Sequence, residues 1–198
     1  MLRGGFGFAV VSLAGFSVWA LGGKWLQARI GEGGLYAACL LVFLAMSGLL
    51  LCPLVRGPRP LLRFYSIFVP AFFAYAVVWC AAWFAWRFGT GEWVGSLAGS
   101  VVFVAVTGLR FGNYRGFLGA CVVLFACHSA GYFLGGQWMR WVTGPSGAVL
   151  WAGLSKAQRS VLAELGWGLF YGVGFGLGIG FVFYNFQRQL NSEPAQNT

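Results

Sequence analysis

Six predominantly apolar stretches, at about 5–23, 35–55, 64–86, 93–109, 116–139 and 165–186, dominate the chain, each close to the ~20 residues a helix needs to cross lipid hydrocarbon. At that depth no water satisfies backbone N–H and C=O groups. A spanning segment must therefore be a helix or a strand of a closed barrel, and these runs are about twice the ~10 residues a strand uses. The expected fold is an all-α integral membrane protein. A six-helix transmembrane bundle would occupy residues 1–190 as one domain, followed by a polar, disordered tail over 191–198.

Charge supports the same reading by its scarcity. Only 9% of the 198 residues are Asp, Glu, Lys or Arg, against about a quarter in water-soluble domains. This excludes a soluble enzyme and a nucleic-acid-binding protein, despite the net charge of +9. The basic residues instead belong in short loops, where they set orientation and meet the anionic head groups of the bilayer. An even helix count puts both termini on one side, with seven Lys or Arg there and six on the other. The short loop from Pro53 to Arg63, with three arginines and three prolines, favours cytoplasmic termini in a bacterial-type inner (plasma) membrane. The first span has the outline of a secretory signal peptide, with Arg3 ahead of it and small residues near Gly22, and is expected to be retained.

A second periodicity suggests that the spans form three tandem two-helix repeats. Glu32, Glu92 and Glu164 precede the even spans, and Arg56, Arg115 and Arg188 follow them at distances of 24, 23 and 24 residues. Leu21-Gly22-Gly23-Lys24-Trp25 also resembles Leu134-Gly135-Gly136-Gln137-Trp138. Part of this pattern has a local cause, since carboxylates favour helix N-termini and guanidinium groups favour C-termini.

The 32 glycines are too many for loops alone, and several fall at helical spacing. Gly91, Gly95 and Gly99 make a small-residue face on the fourth span. Gly168, Gly172, Gly176 and Gly180 make another on the sixth, with Gly174 and Gly178 roughly opposite. Such faces let backbones approach closely in lipid, where van der Waals contact drives helix association. The sixth span should pack on both sides, or use one glycine face within the monomer and the other in a homo-oligomer or larger membrane complex. A turn is expected at Gly144-Pro145-Ser146-Gly147, and Ser155 is a candidate N-cap for the helix that follows.

Candidate site residues converge on one end of the bundle. The ten tryptophans fall in the half of the membrane opposite the termini, mostly as an interfacial belt. Trp79 and Trp83 sit deeper, four apart on one helix face, and could line an aromatic vestibule. Glu32, Glu92 and Glu164 open onto the same side. His128 is the one mid-membrane residue that titrates near neutral pH, and Tyr132 shares its helix face. The ligand-binding set expected from sequence is thus His128, Tyr132, Trp79, Trp83, Glu32, Glu92 and Glu164.

Function is less constrained. No catalytic constellation is present, and no metal or cofactor is implied by five scattered cysteines, a single histidine and no aspartate. The carboxylates lie at helix starts or in the tail, which disfavours ion-coupled pumping. The leading expectation is a passive facilitator or channel for a small solute passing near His128. The alternatives are a non-catalytic structural or assembly subunit of a membrane complex, and a lipid- or quinone-binding membrane protein with its ligand beside Trp79 and Trp83.

Overall fold

Gly31 sets the layout of the first third of the chain. The helix α1 (Leu2–Leu51) has 50 residues, about 75 Å if straight. At Gly31 the backbone takes φ 73° and ψ 177°, a conformation open in practice only to glycine. The helix therefore breaks into two arms, 2–30 and 32–51, that lie side by side. Gly7 meets Leu51, Gly15 meets the ring of Phe43 and Gly23 approaches Leu35, the contact pattern of an antiparallel hairpin. A short turn of 3-10 helix, Cys52–Leu54, follows. Then come α2 (Pro60–Trp86), α3 (Thr90–Phe111), α4 (Phe117–Thr143), α5 (Pro145–Leu150) and α6 (Lys156–Leu190). The computed structural model describes the backbone of residues 1–190 and the side chains of residues 1–188; the polar tail 191–198 lies outside the described residues.

Among the described residues five helices, α1 with its 3-10 extension being one of them, are long and apolar enough to cross a membrane, so the chain is a helical integral membrane protein. The first two apolar stretches of the sequence are the two arms of α1. One expectation is corrected at the 144–155 segment. Pro145 occupies the first turn of α5, where its fixed φ and missing N–H are tolerated, so a short helix stands where a turn was read. Ser155 does cap α6: its hydroxyl accepts from the Gln158 N–H at 3.3 Å, and the Gln158 side chain accepts from the Ser155 N–H at 2.9 Å.

Glycine faces decide which helices touch. The Gly168, Gly172, Gly176 and Gly180 face of α6 lies against the first arm of α1, at Phe16, Ser12, Gly4 and Met1. Gly174 and Gly178 turn the other way, onto Gly131 and Leu124 of α4. Both faces are thus covered within the chain. Gly91, Gly95 and Gly99 of α3 seat on α2 at Ala82, Trp79 and Tyr75. The second arm meets α2 through Gly48 on the Tyr65 ring. Trp93 of α3 contacts Phe133 of α4 at a centroid separation of 4.4 Å. Each helix runs antiparallel to the next around the bundle. The contacts close a ring: first arm, second arm, α2, α3, α4, α6 and back to the first arm.

A proline adds one polar tie to that ring. Pro70, inside α2, has no N–H for the carbonyl of Ser66, and Arg110 of α3 donates its Nε to that carbonyl at 2.7 Å. The middle of the ring is filled with aromatic rings from five of its six members. Phe8 contacts Phe43, Phe72 and Phe175, while Phe68 contacts Phe72 and Phe103, at centroid separations of 5.1–6.2 Å. Phe8, Phe68, Phe103 and Phe175 are fully buried.

Candidate functional site

One turn of α4 brings His128 and Tyr132 onto the face that looks into the ring, and α2 supplies Tyr75, Trp79 and Trp83 on a stripe of four-residue spacing. Their side chains meet. The Tyr75 hydroxyl is hydrogen-bonded to His128 Nε2 at 2.7 Å and to the Tyr171 hydroxyl of α6 at 3.2 Å. His128 is fully buried, with Tyr132 stacked beside it at 6.1 Å and the edge of Phe175 at 5.2 Å. Its Nδ1 has no hydrogen-bond partner.

Toward the end of the bundle opposite the termini, the array continues through Tyr132. Its hydroxyl donates to Glu92 Oε1 at 3.1 Å, and Glu92 Oε2 accepts from the Gly89 N–H at 3.0 Å. Glu92 thus caps α3 and ties it to α4, both uses drawing on one carboxylate at a helix N-terminus. Tyr132 also contacts Trp79 at 5.7 Å, and Trp79 stacks on Trp83 at 5.8 Å with an interplanar angle of 11°. On the other flank Trp167 lies 5.4 Å from Tyr132, donates its Nε1 to the Tyr132 carbonyl at 3.1 Å, and contacts Trp19 at 5.8 Å.

Five of the seven residues singled out from sequence are therefore joined: His128, Tyr132, Trp79, Trp83 and Glu92. Glu32 stands apart, 3.8 Å from Arg87 in a half-exposed ion pair that links the second arm of α1 to the end of α2. Glu164 is also separate, accepting from the Ser160 hydroxyl at 2.9 Å. Its expected place at a helix start is corrected, because α6 begins at Lys156 and puts Glu164 two turns inside. The three glutamates are thus not equivalent in setting.

Sequence reasoning missed Tyr75 and Tyr171. Tyr75 continues the Trp79 and Trp83 stripe by one more turn, and both tyrosines sit deep in apolar helices, away from the interfacial zone where a tyrosine hydroxyl is easily hydrated. That combination was the available signal. What it does not reveal is the pairing, since Tyr75, His128 and Tyr171 come from three helices.

Chemically the array has one open end. It enters at Glu92, passes Tyr132 and His128, and stops at Tyr75 and Tyr171 against the rings of Phe72 and Phe175. Buried Trp79 Nε1, Trp83 Nε1, Ser96 Oγ and Ser100 Oγ also lack partners. Among the described residues no three His, Cys, Asp or Glu side chains gather in a metal-binding group, and all five cysteines are free thiols. The arrangement can brace three helices through mid-membrane hydrogen bonds, a role small polar groups commonly play in lipid. No protein family, curated protein or solved structure matches the chain.

Proposed function

We propose that the protein is a non-catalytic structural subunit of a larger membrane assembly, with the two arms of α1 and the four helices α2, α3, α4 and α6 as six spans and both termini cytoplasmic. The observation that carries this reading is the filled centre of the ring. The passage expected near His128 has no opening there, because the imidazole is fully buried between Tyr75, Tyr132, Tyr171 and Phe175. That packing weighs against a facilitator or channel, and a rigid bundle sealed by aromatic stacking suits a scaffold. Short α5 adds a surface for partners, with Val149 and Leu150 80% and 62% exposed at one end of the bundle. The three-repeat organisation fits the even pairing of spans, although Glu164 departs from its register.

The test is reconstitution. Vesicles carrying the purified protein should be no more permeable to water, glycerol, urea or ammonia than protein-free vesicles. Gently solubilised native membranes should hold the chain in one complex at fixed stoichiometry with other polypeptides. A solute flux abolished by His128→Ala would reinstate the conduit.

A second reading is favoured by one specific feature. A groove of about 510 Å³ runs along the outside of α3 and α4, lined by Trp93, Phe125, Ser129, Phe133 and Gln137. Its apolar walls suit a lipid or quinone. This groove is elsewhere than Trp79 and Trp83, where the sequence suggested such a ligand. Protein extracted with a bound quinone or lipid, lost on Ser129→Leu, would support it.

A further inference from the structure

The end of the bundle that holds the start of α1 and the end of α6 has a polar pocket of about 670 Å³. Three arginines from separate segments border it. Arg3 comes from the first turn of α1, Arg56 from the loop after the 3-10 turn, and Arg188 from the last turn of α6. Arginines distant in sequence are gathered here by the close approach of Gly180 to Met1 and by one side-chain amide.

That amide belongs to Gln187, which is 9% exposed. Its Oε1 accepts from the Arg56 N–H at 2.8 Å, and its Nε2 donates to the carbonyls of Leu54 and Phe183 at 2.8 and 2.9 Å. Gln187 therefore fastens the 54–56 segment to α6 and fixes where Arg56 stands relative to Arg188. Arg63 reinforces the loop by donating Nη1 to the Arg56 carbonyl at 2.6 Å. Among the described residues the lining contains no Asp or Glu. Of the four glutamates, Glu32, Glu92 and Glu164 belong to the other end, and Glu193 lies outside the described residues. The guanidinium groups of Arg3 and Arg56 have no protein partner among the described residues.

The pocket is also amphipathic at its rim. Leu2 and Tyr184 line it while remaining 83% and 50% exposed, and Phe6, one turn further along the Leu2 face, is 78% exposed. A basic head pocket thus opens beside an apolar strip that runs along the bundle. Guanidinium groups hold phosphate oxygens in paired hydrogen bonds, and basic pockets between spans are suited to anionic head groups. We infer that this pocket binds the phosphodiester head group of an anionic membrane lipid, with an acyl chain lying along Leu2 and Phe6.

The full-length protein in mild detergent is titrated with phosphatidylglycerol and with phosphatidylcholine, and bound lipid is counted by native mass spectrometry. Phosphatidylglycerol should be retained over phosphatidylcholine. Arg3→Gln combined with Arg56→Gln should weaken phosphatidylglycerol binding about thirtyfold, at about 1 kcal/mol per arginine, with phosphatidylcholine unchanged. Both side chains are exposed, so folding should survive, and Arg56→Lys should restore only part of the affinity lost at that position, supplying the charge without the paired hydrogen bonds. Gln187→Leu should also weaken binding with every arginine still present, which an effect of net charge alone would not produce. Equal loss on Arg29→Gln, at the opposite end, would overturn the proposal. So would full displacement of the lipid by an equal concentration of inorganic phosphate, which would make this a site for the free anion.

Discussion

The Tyr75 hydroxyl lies 2.7 Å from Nε2 of the fully buried His128. This pair joins α2 to α4 across the middle of the ring, and the Tyr171 hydroxyl extends it to α6. In lipid hydrocarbon such groups have few other partners, so their contribution is to hold three helices in one register.

Removing the Tyr75 hydroxyl alone should therefore be costly in proportion to its isolation. Tyr75→Phe should destabilise the protein by about 1 kcal/mol in thermal or denaturant unfolding in detergent, because His128 and Tyr171 both lose a partner. Tyr75→Phe with His128→Leu should cost less than the two single losses added together. Additive losses would mean that the pair carries no coupling.

The glycine faces make a sharper contrast. A side chain at Gly174 would collide with the Cys127 carbonyl and the Gly131 backbone, and neither can move aside as a side-chain tip could. Gly174→Val should destabilise by at least about 1–3 kcal/mol or separate α4 from α6. Gly119, exposed on the same α4, has open space around it, and Gly119→Ala should be neutral or stabilising by up to about 1 kcal/mol. Comparable melting temperatures for the two variants would contradict this packing.

Gly31 is required for conformation and not for space. Nothing lies within 4 Å of a Cβ added there, yet φ is 73° with ψ near 180°. Gly31→Ala should therefore cost about 1–3 kcal/mol. Cysteine pairs placed at Gly15 and Phe43 should still report the two arms as neighbours if the hairpin persists, and should stop crosslinking if α1 straightens.

Pro70 and Arg110 offer a test of a single carbonyl. In Pro70→Ala the restored N–H can bond to the Ser66 carbonyl within α2, competing with the Arg110 side chain. Arg110→Ala should then destabilise the wild-type protein more than it destabilises the Pro70→Ala variant, in a double-mutant cycle of unfolding free energies.

The exposed Glu32 and Arg87 pair should matter little. With both side chains about half exposed and 3.8 Å apart, Glu32→Gln is expected to change stability by less than about 1 kcal/mol, and less still at high salt.

Much of the fold was decided by properties local to the sequence. Apolar run lengths fix the environment and the helical state, since lipid leaves the backbone no alternative, and the four-residue spacing of Gly168 to Gly180 and of Gly91 to Gly99 marks the closely packed faces of α6 and α3 before any partner is known. The same local logic found Ser155 as a cap and placed Glu92 at the start of α3. Tertiary structure decided what those faces touch. The pairing of Tyr75 with His128, the placing of Arg3 and Arg56 around one pocket, and the rotation that buries the imidazole among phenyl and phenol rings all depend on the relative turn of helices distant in sequence. Helical periodicity tells which residues share a face. It carries no information about the direction in which that face is turned, and that direction is what closed the centre of the ring.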